Sequence, residues 1–568
     1  MTSAVVAVRR RLAALQAPEA TAFLAPSLVA WRRWMAALVA AAFAYPLLVR
    51  DLGLTELFFY GQDLPAAILM LVAAQGLYLV PAAWAPAAPR TPGWRAALAL
   101  ALAVAAAGWA GSRLVYDGYG LSMDEFMARF DAQILAGGRL AASIPEAWRA
   151  YAAALQPKFA QVTPDHAHWA STYLPVNAAL LALGLRIGAE ALVPALLAGL
   201  AVAATFGCAR RLWPDRPAAA WAAAVLLATA PQLLITAMTP YSMTAHLALN
   251  MAWLWLVLRG GKAGHGAAAG VAFLATGLHQ LIFNPLFAAP FVADMWLARR
   301  WKAAAWHTAA YAAIGLFWAA YPGLVRHAFA GPAAAGPAAA AAAAGGGQAA
   351  LAQALALIRG FQPLEAPGFM LQNIVRFLTW QSLLAVPLAF AAAWPALRQG
   401  GMVRALVASL VLTTLAMLLL MPYQGHGWGY RYLHGLMGAL ALLAGFGWSR
   451  IGEGAEPRVR AAVFAAAAAA SLAVLFPLRA WQTWTLTHPH ARAERQIRAV
   501  AADIVLVDAN TLRVDIDSVR NRPDLSNRPL EMYAPALTPA QVRALCARYR
   551  LRWVVDAPAG VQTADRCG

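Results

Sequence analysis

The sequence has few charged residues and few cysteines. Only 12% of its 568 residues are charged and 62% are hydrophobic, a composition that excludes a soluble globular protein of this length. The three cysteines exclude a disulfide-rich scaffold and form no CxxC pair. No small-residue cleavage site follows an apolar core near the N-terminus, so we expect no removable signal peptide. These absences point to a polytopic membrane protein.

The charged residues are also unevenly distributed. Lys and Arg number 44 against 25 Asp and Glu, which gives a formal net charge of +19. The basic residues form short clusters between apolar runs, a pattern that orients membrane helices by staying on the cytoplasmic side. We therefore expect a lipid bilayer, and no nucleic acid, as the partner of this positive charge.

Long apolar runs make up most of the chain. Runs of roughly 17–25 residues can cross a bilayer as helices. We predict about thirteen of them, almost free of buried charges, with the N-terminus and every basic cluster in the cytoplasm. A further helix, 174–188, is expected at the membrane surface. The predicted spans are 34–49, 64–84, 96–115, 189–208, 218–235, 242–258, 267–282, 285–297, 304–321, 373–397, 406–420, 433–448 and 461–478.

This topology divides the membrane region, residues 1–484, into spans and two large outer loops. The first outer loop is 116–173, which is polar and contains several acids. The second is 323–372, part of which (331–350) consists almost entirely of Ala, Gly and Pro. We expect both loops on the extracytoplasmic side.

The composition becomes that of a soluble domain after residue 484. The pattern predicts buried strands at 502–509 and 551–555 and a helix at 539–549. The predicted fold is therefore an all-α polytopic membrane protein with a small extracytoplasmic α/β domain at 485–568. Cys546 and Cys567 would share an oxidising compartment, and the sequence leaves open whether they form a disulfide. Cys208 is expected to be a free thiol.

A short polar stretch opens the first outer loop: Ser122-Met123-Asp124-Glu125-Phe126. Adjacent carboxylates just past a membrane helix are costly to hold near lipid, so Asp124 and Glu125 are candidate functional residues. The alternative is a structural role, because Ser122 and Asp124 are both favoured at the N-cap of a helix.

The predicted topology brings other polar residues to the same outer face. This topology is derived from the Arg and Lys clusters alone. The acids and histidines are not used to derive it, so their shared position on one face is independent support. The first loop supplies Asp124, Glu125, Arg129, Asp131, Lys158, Asp165, His166 and His168; later segments supply His279, Gln280, His426, Tyr430, Arg431, Tyr432 and His434. We predict a single polar site on this face.

These segments resemble a known family. The DE pair, the AGGRL turn and HWASTYLPVNAALLALG are similar to the GT-C class of membrane glycosyltransferases, especially the dolichyl-phosphate-mannose-protein mannosyltransferase and aminoarabinose transferase-like group. ARRLWPDRPAAAWAAAVLLATAPQLL and GWGYRYLHGLMGALALLAG extend the resemblance, which covers residues 118–448. The chain departs from the family pattern in two extra spans before the DE loop, and in Leu174-Pro175 where the family has Pro-Pro.

The resemblance implies transfer of a sugar from a polyprenyl phosphate by a catalytic carboxylate of the first outer loop. Such a carboxylate would act as general base on the acceptor hydroxyl, while the leaving phosphate needs cationic or metal stabilisation. We assign Asp124 as the base and Glu125 as the residue that orients it or holds a metal. Arg431, backed by His426, is the candidate phosphate ligand, because a guanidinium matches phosphate geometry. The alternative for Arg431 is a side chain that snorkels at the membrane interface.

The other site candidates have weaker support. Those assigned to substrate binding are Arg129, His279, Gln280, Tyr430 and Tyr432. His166 and His168, together with Glu125, are candidate ligands of a divalent metal, and no other cofactor is predicted. The alternatives are solvated loop positions for the two histidines and a packing role for His279.

Three classes of function remain: an enzyme that uses a lipid-linked sugar, a transporter and a non-catalytic scaffold. The favoured one is an inverting glycosyltransferase of the bacterial inner membrane, acting on a polyprenyl-phosphate sugar and an unknown glycan, lipid or protein acceptor. A secondary transporter is the main alternative, and it predicts ionisable residues near the middle of the bilayer and internal repeats. An O-antigen ligase or polymerase would also use a lipid-linked sugar at this face. A non-catalytic scaffold would not need the outer polar residues.

Overall fold

The structure is a computed structural model that describes residues 21–49, 52–81, 92–329, 362–507 without 452 and 454, 518–557, 560–564 and 567. Four predicted features lie wholly or partly outside the described residues: the arginines at 9–11, the end of the span 64–84, the segment 331–350 and the end of the strand 502–509.

The described chain is mainly helical. In the first half the helices are α1 Ala25–Ala44, α2 Gly53–Phe58, α3 Leu64–Gly76, α4 Trp94–Leu114, α5 Met123–Ala136, α6 Glu146–Arg149, α7 Ala152–Leu155, α8 Val176–Arg186, α9 Leu192–Leu212, α10 Pro217–Ala228, α11 Pro231–Thr236 and α12 Ser242–Arg259. In the second half they are α13 Gly261–Thr276, α14 Phe283–Leu297, α15 Trp301–Phe329, α16 Glu365–Thr379, α17 Ala385–Gln399, α18 Gly401–Leu420, α19 Met437–Ile451, α20 Pro457–Ala470, α21 Phe476–Arg498 and α22 Pro539–Cys546.

Seven helical segments of the described chain are long and apolar enough to cross a membrane. They are Ala22–Leu47, Gly53–Leu79, Trp94–Leu114, Leu192–Leu212, Trp301–Arg326, Gly401–Leu420 and Pro457–Arg498. The last segment joins α20 to α21 through a π-helical turn and passes the predicted domain boundary at residue 484. The fold confirms a polytopic helical membrane protein, although several predicted spans are shorter or interrupted helices.

Two predicted spans, 218–235 and 373–397, are each broken in the middle. Pro231 has no N–H to continue α10, and the chain restarts as α11. The other break follows Trp380, where the Leu383 N–H donates to the Ser471 hydroxyl oxygen at 3.0 Å. The two breaks lie side by side and are hydrogen-bonded to each other, since the Gln232 N–H donates to the Trp380 carbonyl at 3.0 Å. Interrupted backbone is tolerated at membrane depth only where such partners replace the lost bonds.

The helices pack around α9 and α19. Helix α9 lies against α4 and α12, while α19 lies against α10 and α17. The first two of the three helical segments before the DE loop also belong to this core, because α1 packs on α16 and α17, and α2 and α3 pack on α16. The surface helix predicted at 174–188 is α8, which packs on α5.

Two small sheets lie outside the helical core. The first outer loop forms an antiparallel sheet of β1 Ala142–Ser143, β2 Ala160–Val162 and β3 His168–Ser171, in the order β1-β3-β2. The C-terminal region forms a second sheet of β4 Ile504–Val507, β5 Leu530–Tyr533, β6 Leu551–Ala557 and β7 Gly560–Ala564, in the order β5-β4-β6-β7. Strand β4 is parallel to both neighbours and β7 is antiparallel to β6. The predicted strands and helix of this region are present, whereas the sequence pattern missed β5 and β7.

The first outer loop and the C-terminal region share one hydrophobic core. Phe130 and Trp169 of the loop pack in the same buried cluster as Ile504 and Leu530 of the second sheet. The Trp169 indole N–H also donates to the Pro523 carbonyl at 2.8 Å. The C-terminal domain therefore packs directly on the loop that contains the DE pair. A disulfide joins Cys546 to Cys567, and Cys208 is a buried free cysteine.

Candidate active site

A helix cap places Asp124 at the start of α5. The Ser122 hydroxyl oxygen accepts the Glu125 N–H at 3.3 Å, and Glu125 Oε2 accepts the Ser122 N–H at 2.6 Å. This reciprocal pair is a capping box, which fixes the first turn of the helix. Ser122 is thus the N-cap, as the structural alternative predicted, and Asp124 in the first turn is left available for other contacts.

Asp124 contacts residues from distant parts of the chain. Its Oδ2 accepts a hydrogen bond from Nη1 of Arg431, and its Oδ1 accepts one from the Tyr173 hydroxyl. The ring of His279 lies against that of Tyr173, with centroids 4.0 Å apart. The Asp124 and Arg431 side chains are 15% and 12% exposed, so their ion pair is mostly shielded from solvent. The predicted carboxylate and the predicted guanidinium, 307 positions apart, therefore meet.

The loop before Arg431 holds its side chain in place. The Arg431 N–H donates to Gln424 Oε1 at 2.9 Å, and Nη2 donates to the Gln424 carbonyl. Two aromatic rings flank the guanidinium, with the Tyr241 centroid at 5.4 Å and the Tyr432 centroid at 5.8 Å from Cζ. Nε of Arg431 is buried and has no hydrogen-bond partner among the described residues. These contacts are inconsistent with a side chain that merely snorkels into the interface.

Burial and the ion pair together shift the pKa values of Asp124 and Tyr173. Burial alone would raise the pKa of the Asp124 carboxyl, but Arg431, His279 and the Tyr173 hydrogen bond lower it below the usual value. Burial and the neighbouring Asp124 charge raise the pKa of the Tyr173 hydroxyl, which therefore stays protonated and donates. Asp124 is ionised at neutral pH, as a general base must be.

Small pockets surround the pair and adjoin a larger cavity. Two pockets of about 20 and 30 Å³ share Tyr241, Ser242 and His279; the first is also lined by Asp124 and the second by Arg431. A cavity of about 330 Å³ with mainly apolar walls adjoins the pocket of Asp124, with which it shares Ser171 and Tyr173. The carboxyl of Asp131 lines both this cavity and the Asp124 pocket. Burial raises the Asp131 pKa to about 7.

Several predicted site residues have other roles in the structure. Both carboxylate oxygens of Glu125 accept hydrogen bonds, Oε2 from the Ser122 N–H and Oε1 from the Thr239 hydroxyl, and its role as a metal ligand stays a prediction. Arg129 forms an ion pair with Glu190 at 2.7 Å and lines a separate cavity beyond Phe126. Arg129 lines neither of the two small pockets beside Asp124 and Arg431, and its role in substrate binding stays a prediction.

The two histidines that were predicted as metal ligands contact other parts of the chain, and their role stays a prediction. His166 Nδ1 is 3.1 Å from the Arg149 carbonyl, and the ring of His168 contacts that of Phe329, with centroids 5.4 Å apart. Within the described ranges, no three His, Cys, Asp or Glu side chains form a group that could hold a metal ion. Glu125, His166 and His168 are separated because the capping box and the sheet place them on different elements.

Of the remaining candidates, some line the pocket beside Arg431 and others do not. His279 and Tyr432 line the pocket beside Arg431, whereas Gln280 and Tyr430 do not. Tyr430 is fully buried and contributes its backbone carbonyl to loop packing. His426 packs against Trp428, and burial with the nearby arginines lowers its pKa to about 3, so its imidazole is neutral. His426 therefore adds no positive charge beside a phosphate at neutral pH.

Sequence reasoning missed several residues that form the site. Tyr173 ends the predicted outer loop and Tyr241 directly precedes α12. Nothing in their sequence context marks them, yet Tyr173 contacts Asp124 and Tyr241 contacts Arg431. Gln424 was also missed, although it organises the Arg431 backbone. A polar side chain in the glycine-rich loop before Arg431 is the signal that could have identified Gln424.

A buried ion cluster was missed too, and the spans are not nearly free of buried charge. Asp63 Oδ2 lies 2.7 Å from Nε of Arg376, and Asp63 Oδ1 lies 3.6 Å from Nη2 of Arg479; all three side chains are at most 1% exposed. We call Asp63, Arg376 and Arg479 the buried ion cluster. The signal was an Arg inside the predicted span 373–397, since charges within spans are functional candidates by default.

Comparison with known proteins finds a shared fold without a sequence match. No family model and no curated protein sequence matches the chain. The crystal structure of ArnT from Cupriavidus metallidurans bound to undecaprenyl phosphate aligns with a TM-score of 0.54 and 14% identity, covering 81% of this chain and 93% of that chain. The apo structure of the same protein gives a TM-score of 0.49 at 14% identity over the same shares. The chain thus has the fold of ArnT, which confirms the GT-C-like fold that the resemblance predicted.

Proposed function

We propose that this protein is a membrane glycosyltransferase that moves a sugar from a polyprenyl phosphate to an acceptor hydroxyl at the extracytoplasmic face. The observation that carries the proposal is the meeting of Asp124 and Arg431 in a mostly shielded pocket. A base and a phosphate ligand are the two groups that this transfer requires. The shared fold with ArnT, one crystal structure of which contains undecaprenyl phosphate, supports the choice of donor.

Arg431 is suited to bind the donor phosphate. Its guanidinium has a free Nε–H, and only one of its Nη groups is committed to the loop. Its flanking rings, Tyr241 and Tyr432, limit hydration, which strengthens its attraction to an anion. A guanidinium can engage two phosphate oxygens at once, and it would stabilise the negative charge that develops as the phosphate leaves.

Asp124 is suited to activate the acceptor. The acceptor oxygen attacks the anomeric carbon, the bond from that carbon to the phosphate oxygen breaks, and the bonding electrons leave with the phosphate. The hydroxyl proton passes to Asp124. A base positioned within hydrogen-bond reach contributes typically ~10²–10⁴-fold to the rate. Tyr173, which donates to Asp124, would hold the carboxylate in position.

The arrangement favours a single displacement with inversion. A retaining mechanism needs a second carboxylate as nucleophile beside the anomeric carbon. In the described chain, the Asp124 pocket contains one other acid, Asp131, which lies two helical turns further along α5. Glu125 is sequestered in the capping box and with Thr239. We therefore expect the product to have the anomeric configuration opposite to that of the donor.

Donor binding would also activate the base. Asp124 and Arg431 neutralise each other in the structure, and this pairing lowers the basicity of the carboxylate. A phosphate that binds Arg431 replaces Asp124 as its partner. The carboxylate then loses its counter-charge, its pKa rises, and it becomes a stronger base once the donor is in place.

The direct test is transfer and binding with a panel of polyprenyl-phosphate sugars. Wild type, Asp124→Asn and Arg431→Ala are compared, with Asp165→Asn as a matched control in the same outer loop. We expect saturable donor binding that Arg431→Ala weakens, transfer that Asp124→Asn abolishes, and wild-type behaviour for Asp165→Asn. Full transfer by Asp124→Asn would refute its role as the base. Failure of the wild type to bind any of the lipids would refute the function and favour the transporter.

A further inference from the structure

The buried ion cluster has an unusual charge balance. One carboxylate, Asp63, faces two guanidiniums, those of Arg376 and Arg479, and all three are shielded from solvent. Arg376 also has an Nη1 without a hydrogen-bond partner in the described part of the chain. Removing one partner of a buried ion pair is far more costly than the pair is worth, so both arginines depend on Asp63. Asp63 ends a π-helical turn, Phe59–Asp63, a distortion that often marks functional positions.

A series of hydrogen bonds joins Asp63 to residues 421–430, which we call the Arg431 loop. The Trp380 indole N–H donates to Asp63 Oδ1 at 3.0 Å, and the Trp380 carbonyl accepts the Gln232 N–H at 3.0 Å. The Gln232 side chain then donates to the carbonyls of Trp428 at 3.3 Å and Tyr430 at 3.2 Å. The last of these carbonyls belongs to the residue directly before the phosphate ligand. All these side chains are buried.

Aromatic contacts form a second route between the same two places. Cζ of Arg376 lies 5.2 Å from the ring centroid of Phe58, whose ring is 5.3 Å from that of His426. The His426 ring is 5.0 Å from Trp428, and Trp428 is 6.3 Å from Trp380. The ion cluster and the Arg431 loop are therefore packed against each other through side chains from both.

The Arg431 loop needs such external support. It contains Gly425, Gly427 and Gly429, and the first and last of these have φ of 65° and 66°. Glycine has no Cβ, so a glycine-rich loop can adopt many backbone conformations. The loop has no helix or strand. Contacts with neighbouring elements therefore help to fix the guanidinium, together with the hydrogen bonds from Arg431 to Gln424 within the loop.

We propose that Asp63 and Trp380 are positioning residues for Arg431, acting through Gln232 and the backbone of the Arg431 loop. The inference rests on the proposed function, because it assigns these residues to the phosphate ligand of that reaction. It also gives a role to the first two of the three helical segments before the DE loop, by which the chain departs from the GT-C family pattern. They supply the carboxylate on which the placement of Arg431 depends.

Three variants test separate parts of this connection. Trp380→Phe removes the indole N–H and keeps a ring beside Arg479. Gln232→Met removes both donors to the Arg431 loop and nearly preserves the side-chain volume. Asp63→Asn removes the counter-charge itself. The matched control is Asp294→Asn, which breaks a different ion pair, Asp294 with Arg404 at 3.0 Å, between helices α14 and α18.

Two readouts separate positioning from general stability. The first is the pH profile of kcat/KM for a polyprenyl-phosphate sugar. When Arg431 is displaced, Asp124 loses its counter-charge, so the acid limb should move to higher pH. We also expect kcat/KM to fall about 10- to 100-fold, the loss typical of a catalytic group misplaced by about 1 Å. The second is amide hydrogen exchange of the Arg431 loop, which reports local opening without any turnover.

We expect Trp380→Phe and Gln232→Met to show the pH shift and faster exchange confined to the Arg431 loop, while Asp294→Asn shows neither. Unchanged exchange and an unchanged acid limb in both variants would overturn the inference, as would equal effects in the control. Asp63→Asn should show the largest effects, and if it fails to insert, the other two variants decide. If the wild type transfers no lipid-linked sugar, the proposed function fails, whereas the exchange measurement still decides the positioning claim.

Discussion

Replacing Asp124 by Asn should make the protein bind the donor phosphate more tightly while stopping the transfer. In the structure Arg431 is already occupied by Asp124, so an incoming phosphate must first displace the carboxylate. Asparagine keeps nearly the same shape but has no charge to compete. It also removes the repulsion between the carboxylate and the bound phosphate. A catalytic base replaced in this way normally leaves substrate affinity unchanged, so tighter binding is specific to this geometry.

The size of the expected change in phosphate affinity follows from the burial of the ion pair. With 15% and 12% exposure, Asp124 and Arg431 are more shielded than a surface ion pair, so the pair is a charge-assisted hydrogen bond worth ~1.5–3 kcal/mol. Because ~1.4 kcal/mol corresponds to a tenfold change in affinity, the variant should bind the phosphate about 10- to 100-fold more tightly. Transfer should fall by ~10²–10⁴-fold with loss of the base.

The assay is a titration of purified protein with undecaprenyl phosphate, alongside a transfer assay with a polyprenyl-phosphate sugar. Wild type, Asp124→Asn, Arg431→Gln and the control Asp165→Asn are measured in the same detergent and at the same ionic strength. Arg431→Gln should bind more weakly than wild type. Weaker binding by Asp124→Asn would refute the competition between carboxylate and phosphate. Unchanged transfer by that variant would refute the assignment of the base.

Three further predictions follow from the same structure. Arg431→Lys keeps the charge but loses the planar fork, so KM for the donor should rise about tenfold while kcat changes less; an unchanged KM would contradict bidentate phosphate binding. Asp131 has a folded-state pKa raised to about 7, so its ionisation costs stability as pH rises from about 4 to about 7. Since water can enter the adjoining cavity, we expect Asp131→Asn to stabilise the protein against thermal unfolding by ~1–2 kcal/mol at pH 8 and by less at pH 5; an equal gain at both pH values would contradict a raised pKa. A reporter enzyme active only outside the cytoplasm should be active when fused after Cys567 and inactive when fused after Arg450, and the reverse pattern would overturn the predicted orientation.

Much of the site could be predicted from the sequence because its charged groups are rare in an apolar chain. Asp124 and Arg431 stood out as polar residues at the predicted outer face, and the structure pairs them. The local pattern that identified Glu125 also describes a capping box, and the capping box forms, while its role beside Asp124 stays a prediction. The metal site also stays a prediction, since short spacing between His166 and His168 says nothing about a third ligand from another element.

Local pattern alone determined that the chain is a helical membrane protein, where its C-terminal α/β region lies, and which acid opens the first outer loop. These depend on composition, hydrophobic periodicity and capping preferences, which act over a few residues. Tertiary structure alone decided which polar groups meet. Tyr173 and Tyr241 join the pair, and Asp63 joins two arginines more than 300 positions away, only because helices packed side by side bring them together. A buried charge has to find a partner, but the sequence does not record how far along the chain that partner lies.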